Sequence, residues 1–174
     1  AVAAIANPES VRKERVSEIE AETRHDIMAL TKAMAEAAGD AGWCIHLGAT
    51  SNDIVDTAVA LQLRDSIVLL REQLCLLIGV CADVAERERD TVMLGRTHGQ
   101  AAVPITFGLK AAVWLDEMRR QLIRLDEATP RIAVGKFLGA VGTGAAQGEN
   151  ARELQRLILT PVSYTHLTLP TSTH

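Results

Sequence analysis

The chain has 174 residues, 48% of them hydrophobic and only 3% aromatic. That is enough apolar material for one domain with a sizeable core, and it argues against disorder throughout. The net charge is −4 with no basic stripe, which argues against nucleic acid as a partner. Abundant Ala, Leu, Val and Ile suit close-packed helices better than a β-sandwich.

Pro8-Glu9-Ser10 reads as a helix start, because proline fits a first turn and an acid there complements the helix dipole. This helix is expected to run to about Ala38 and stop at Gly39. Val16, Ile19, Thr23, Ile27, Leu30 and Met34 supply its three-and-four spacing. Arg24, His25 and Asp26 interrupt the stripe. His25 falls near its edge, where an imidazole can face a cleft.

Residues 39–48 form a connector containing Trp43 and His46. Thr50-Ser51-Asn52-Asp53 follows, and two readings stand side by side. It is a helix cap, or it is an anion site made from hydroxyls and free N–H groups at a helix start.

From Ile54 to about Asp90 there is no proline, and Gly79 is the only glycine. Apolar residues occupy several faces, as in a helix surrounded by others. At 1.5 Å per residue such a helix spans roughly 55 Å, which implies a long, oligomeric bundle rather than a small globule. The most apolar run, 67–85, carries Arg71, Glu72 and Asp83, which argues against a membrane span. Cys44, Cys75 and Cys81 form no CxxC pair and sit among apolar residues. They read as buried thiols of a reducing compartment, not as a disulfide frame or a zinc site. With no basic-then-apolar leader pattern at the N-terminus, the expectation is a cytoplasmic helical protein.

The centre of the sequence is Met93-Leu94-Gly95-Arg96-Thr97-His98-Gly99-Gln100. Arg96, Thr97, His98 and Gln100 place a cation, a hydroxyl, an imidazole and an amide within five residues. Such a loop is suited to holding an anion and moving a proton; a solvated connector is the alternative. Pro104 is expected to open a third helix to about Arg131, with Phe107, Ala111, Trp114, Met118, Leu122 and Leu125 on its core stripe and antiparallel to the long helix. Residues 134–148 contain Gly135, Gly139, Gly142, Gly144 and Gly148. No GK[ST] follows, so a tightly packed turn is favoured over a phosphate-binding loop. A fourth helix begins near Ala145 and reaches about Leu157. Residues 160–174 then turn rich in Ser and Thr, with Pro161 and Pro170 and no helical period. They are expected to be a non-native, weakly packed tail, judged by whether Tyr164 and Leu167 are buried.

Several of these stretches together resemble a known family. Arg24-His25-Asp26, Thr50-Ser51-Asn52-Asp53-Ile54-Val55-Asp56-Thr57-Ala58, Gly95-Arg96-Thr97-His98-Gly99-Gln100, Pro104-Ile105-Thr106-Phe107-Gly108-Leu109-Lys110 and Lys136-Phe137-Leu138-Gly139-Ala140-Val141-Gly142-Thr143 occur in order. They resemble the adenylosuccinate lyases of the fumarase/aspartase superfamily. The resemblance covers roughly residues 17–157.

The resemblance implies an all-α, long-helix bundle of the fumarase/aspartase type, here truncated. Residues 1–48 would end an N-terminal helical domain, 49–159 would form part of the central bundle, and 160–174 would be the tail. It implies β-elimination of fumarate from adenylosuccinate, giving AMP, and from the succinyl-carboxamide ribotide of purine synthesis. Neither cofactor nor metal is implied. The partners implied are a purine nucleotide substrate and, at full length, three further copies in a homotetramer.

His98 matches the general acid. Thr50 and Ser51 match residues that bind the succinyl carboxylates, and Arg24, His25 and Asp26 match a substrate-binding triplet. Asp53, Thr97 and Gln100 belong to the same motifs and are expected at the substrate. Two departures matter. No Met-Pro-x-Lys-x-Asn loop carrying the family's serine base occurs here, and the N-terminal Arg-Tyr phosphate contact is missing. The chain therefore reads as an internal piece that is inactive alone. A carboxymuconate cycloisomerase-like member of the superfamily, or a non-catalytic helical scaffold, are the alternatives. Gly99 argues against argininosuccinate lyase and fumarase, which usually carry a bulkier residue there.

Overall fold

A computed structural model describes residues 7–160 and Thr165–His166. The order is a 3-10 turn at Pro8–Ser10, α1 (Lys13–Thr23), α2 (Asp26–Ala38), a 3-10 segment at Gly39–Cys44 and α3 (Ser51–Arg87). Next come β1 (Val92–Thr97), β2 (Gln100–Thr106), α4 (Phe107–Ile132), β3 (Val134–Gly135), a 3-10 segment at Ala145–Asn150, α5 (Ala151–Leu159) and β4 (Thr165–His166). The helical class is as expected, and among the described residues the strands make two two-stranded ribbons, β1–β2 and β3–β4. The tail expectation, including Tyr164 and Leu167, lies outside the described residues apart from β4.

The chain forms two compact units, residues 1–59 with 135–174, and residues 60–134. In the first unit, the single helix expected over 8–38 is two. Arg24 adopts a left-handed conformation (φ 52) and its N–H closes α1 on the Glu20 carbonyl. His25 then caps α2. The polar triplet thus breaks the helix instead of fanning around it, because local side-chain and backbone bonding competes with helix continuation. Ile19, Ala29 and Ala33 form the buried centre of this pair, with Val11 and Val16 packed against them. Arg15 ties the two helices by a two-pronged bond to Glu36, 2.8 Å at each contact.

In the second unit the last turns of α3 and the whole of α4 run antiparallel. Arg71 meets Asp126 at 2.8 Å, while Gly108 packs against Ala85 and Arg89. A Cβ at Gly108 would sit 2.5 Å from the Ala85 carbonyl oxygen, so only glycine permits this approach. Pro104 does not open α4. It lies in β2 opposite Leu94, and the helix starts after Thr106, whose hydroxyl accepts the Leu109 N–H at 3.1 Å. A side-chain cap two residues on outcompetes proline as the start signal.

The cysteine expectation also needs correction. Cys81 is buried and Cys44 half-buried, but Cys75 is exposed. It shares α3 with exposed Leu69, Leu70, Leu76 and Val80. A helix apolar all round has more apolar faces than one neighbouring helix can cover. Among the described residues, no helix is long and apolar enough to cross a membrane.

Candidate functional site

The sequence-predicted residues fall into two groups, one in each unit. In the first unit, Arg24, His25 and Asp26 form the exposed joint between α1 and α2. The His25 Nδ1 accepts the Met28 N–H at 3.2 Å, so the neutral ring carries its proton on Nε2. The same Nδ1 lies 3.5 Å from Asp26 Oδ1, a contact that is an ion pair only if that nitrogen is protonated. The cap and the ion pair therefore exclude each other.

Thr50 and Ser51 stand half-buried at the start of α3. The cap here is not made by their hydroxyls. Asp53 reaches back to accept the Thr50 N–H at 3.1 Å, the return half of a capping box. Neither hydroxyl is engaged among the described residues, so both remain available to a ligand.

Asp53 is only 2% exposed. Its carboxylate also accepts the N–H groups of Leu138 (3.4 Å) and Gly139 (2.8 Å). One helical turn on, the Thr57 hydroxyl donates to the Lys136 carbonyl (3.3 Å) and accepts the Lys136 N–H (3.2 Å). Asp56 pairs with the Lys136 ammonium at 2.6 Å. Positions 53, 56 and 57 share one helix face, and that face holds the stretch 136–139. The glycine-rich segment is thus the packed turn expected of it. Gly139, Gly142 and Gly144 all have positive φ.

In the second unit the central stretch is a β-hairpin, more ordered than a loop between helices. Thr97 pairs with Gln100 across the strands, leaving His98 and Gly99 as the two-residue turn. Both have positive φ, 49 and 75, as a type I′ turn requires. The imidazole of His98 therefore stands exposed at the tip, flanked by exposed Thr97 and Gln100. Gly95 is buried where the register shifts between Leu94 and Arg96, and a Cβ there would lie 2.5 Å from the Val103 carbonyl oxygen. This bulge sets the strand's aim. Side chains alternate along a strand, so Arg96 falls on the face opposite Thr97. It lines a cavity of about 350 Å³ with Lys110 and Trp114. The Lys110 ammonium sits 5.4 Å from the Trp114 ring centre.

A family model described as "Lyase" matches residues 1–173. The chain belongs to that lyase family. Adenylosuccinate lyases of Pyrococcus abyssi and Methanothermobacter thermautotrophicus are 49% and 53% identical to this lyase chain over 154 residues, which is 88% of it. Those residues are 34% of each relative, so the lyase chain spans about a third of the length of the curated relatives it matches. Its fold is similar to the crystal structure of a 3-carboxy-cis,cis-muconate lactonizing enzyme from Pseudomonas putida, with TM-score 0.88 and 33% identity. That likeness covers 96% of this chain and 39% of the other.

One residue of the lyase chain escaped sequence reasoning. His46 adopts φ 67, and its Nε2 is buried without a hydrogen-bond partner among the described residues. Its carbonyl accepts the Ala49 N–H, which turns the chain into Thr50. The available signal was an imidazole four residues ahead of two hydroxyls. The Asp53, Asp56 and Thr57 face was equally readable from its i, i+3, i+4 spacing, but its partner lies some eighty residues away.

Proposed function

We propose that this chain is part of an adenylosuccinate lyase, which eliminates fumarate from adenylosuccinate and from the succinyl-carboxamide ribotide of purine synthesis. In this reading a base outside these residues removes the Cβ proton, and charge builds on the neighbouring carboxylate. The C–N bond then breaks as protonated His98 gives its proton to the departing purine nitrogen. Thr50 and Ser51 donate hydrogen bonds to the succinyl carboxylates, countering the charge as it develops. Arg24, His25 and Asp26 hold the nucleotide portion, and Thr97 and Gln100 contact substrate beside His98. Asp53 serves the site through the backbone.

The observation that carries the reading is the state of these groups. His98 is exposed on a two-residue turn, and the Thr50 and Ser51 hydroxyls are unengaged among the described residues on a helix start tied back by Asp53. A homotetramer sharing its sites between copies, working in the cytoplasm, completes the proposal. Its support is the 37-residue length of α3 and that helix's exposed Leu69, Leu70, Leu76 and Val80.

The test is fumarate release by this chain alone and mixed with a full-length adenylosuccinate lyase subunit that lacks its own counterpart of His98. We expect no activity from the chain alone and recovered activity in the mixture. Mixed oligomers without activity, or equal recovery with His98→Gln, would overturn it. The similarity to a muconate lactonizing enzyme supports a second reading, a cycloisomerase-like member of the superfamily. Lactonization of carboxymuconate by the mixture, with no fumarate release, would favour it.

A further inference from the structure

The carboxylate of Asp53 is buried and makes no ion pair among the described residues, yet it accepts three backbone N–H groups, from Thr50, Leu138 and Gly139. Two of those donors lie in the glycine-rich turn, and the third belongs to the residue whose hydroxyl faces the proposed substrate. An ionised carboxylate suits this task because it accepts only, and two oxygens receive several donors at once. An asparagine of the same shape would turn an NH2 group toward one of those donors. Thr57 and Asp56 fasten Lys136 beside it, so the turn is held at two successive points.

We infer that Asp53 is a positioning residue. It acts on substrate only through the backbone, by locking the Thr50–Ser51 turn to Leu138 and Gly139 and so fixing where the two hydroxyls point. This rests on the proposed lyase reading for its consequence in binding, but its structural half stands apart. A group serving only helix capping would need one of the three bonds. The other two tie a start of helix to a segment far along the chain.

The experiment has two arms. In the first, amide hydrogen exchange is followed by NMR in this chain and in Asp53→Asn. Losing charge-assisted bonds should raise exchange of the Thr50, Leu138 and Gly139 amides about 10-fold or more, with the amides of α4 unchanged. Lys136→Met, which removes only the ion pair to Asp56, should leave the Gly139 amide within about 3-fold of the parent. Unchanged exchange in Asp53→Asn would overturn the inference. If Asp53→Asn fails to fold, Asp53→Glu, which keeps the charge on a longer stem, replaces it and should raise exchange at Leu138 and Gly139 while sparing the folded helices. In the second arm, the mixed assembly carrying Asp53→Asn in this chain and the matching change in the full-length subunit should show kcat and kcat/KM for adenylosuccinate both lowered about 10-fold with KM changed far less, as expected when an interaction that strengthens in the transition state is lost. Raised exchange with an unchanged kcat/KM would overturn the positioning role. If the parent mixture itself releases no fumarate, the lyase reading fails while the exchange arm still decides whether Asp53 locks the turn.

Discussion

The turn at residues 50–53 and the tip at residues 97–100 place functional groups by opposite means. At the first, a buried carboxylate gathers backbone donors from its own turn and from one distant stretch, so the turn that carries the hydroxyls is held by what surrounds it. At the second, a two-residue turn with positive φ at His98 and Gly99 does the positioning by itself, and the imidazole stands in solvent. Groups that bind carboxylates gain from preorganisation, since donors that need not reorient stabilise developing charge best. A proton donor gains from access to the leaving group and to solvent for reprotonation. The difference teaches that the proposed carboxylate-binding groups are placed by tertiary structure and the proposed acid by local backbone conformation.

The comparison breaks hardest at His98. In the mixed assembly, His98→Gln should lower fumarate release by about two orders of magnitude or more, the usual range for losing a general acid. A steady-state assay at saturating substrate checks this. Near-normal turnover would move the acid elsewhere.

The hairpin's self-sufficiency is tested next at Gly95. Gly95→Ala would press a methyl group against the Val103 carbonyl, a backbone atom that cannot step aside. Overpacking of this kind costs about 1–3 kcal/mol. Chemical denaturation should show that loss, and proton NMR should show shifted His98 ring signals. The turn at residues 50–53 is tested more gently at Thr57. Thr57→Val keeps the shape but removes the hydroxyl shared with both backbone groups of Lys136. A loss of about 1 kcal/mol is expected, with the His98 signals unmoved.

Some of this was legible from sequence, for physical reasons. The long α3 declares itself by apolar residues without glycine or proline breaks, and the Thr50–Asp53 cap by residue type. The hairpin was missed as a hairpin. Gly95 interrupts its first strand, Pro104 looks like a helix start, and the I′ turn carries histidine where asparagine or aspartate is usual. The break at Arg24 was legible only as an interruption, because left-handed arginine has no residue-type signature. The lock between Asp53 and Gly139 was out of reach. Only folding brings those stretches together, and a buried aspartate looks like any other capping acid in one dimension.

The smallest effect concerns the helix pair that carries Arg24, His25 and Asp26. Hydrogen bonding to Arg15, then the nearby positive charge, holds the Glu36 carboxyl below its ordinary value, and the same contact raises Arg15. A carboxyl lowered in the folded chain stabilises above its unfolded value of about 4.3. That contribution is lost as pH falls through the lower folded value. Arg15 stays charged throughout this range, so the carboxylate alone sets the window. Both side chains are about half exposed, which keeps the pair weak and open to screening by salt. The melting temperature of Glu36→Gln should therefore lie slightly below the parent at pH 7. The gap should close as pH drops below about 4, and it should also narrow in 1 M salt. A gap that persists unchanged at low pH would mean the residue acts by packing on α1, and the joint at Arg24 would then owe nothing to this ion pair.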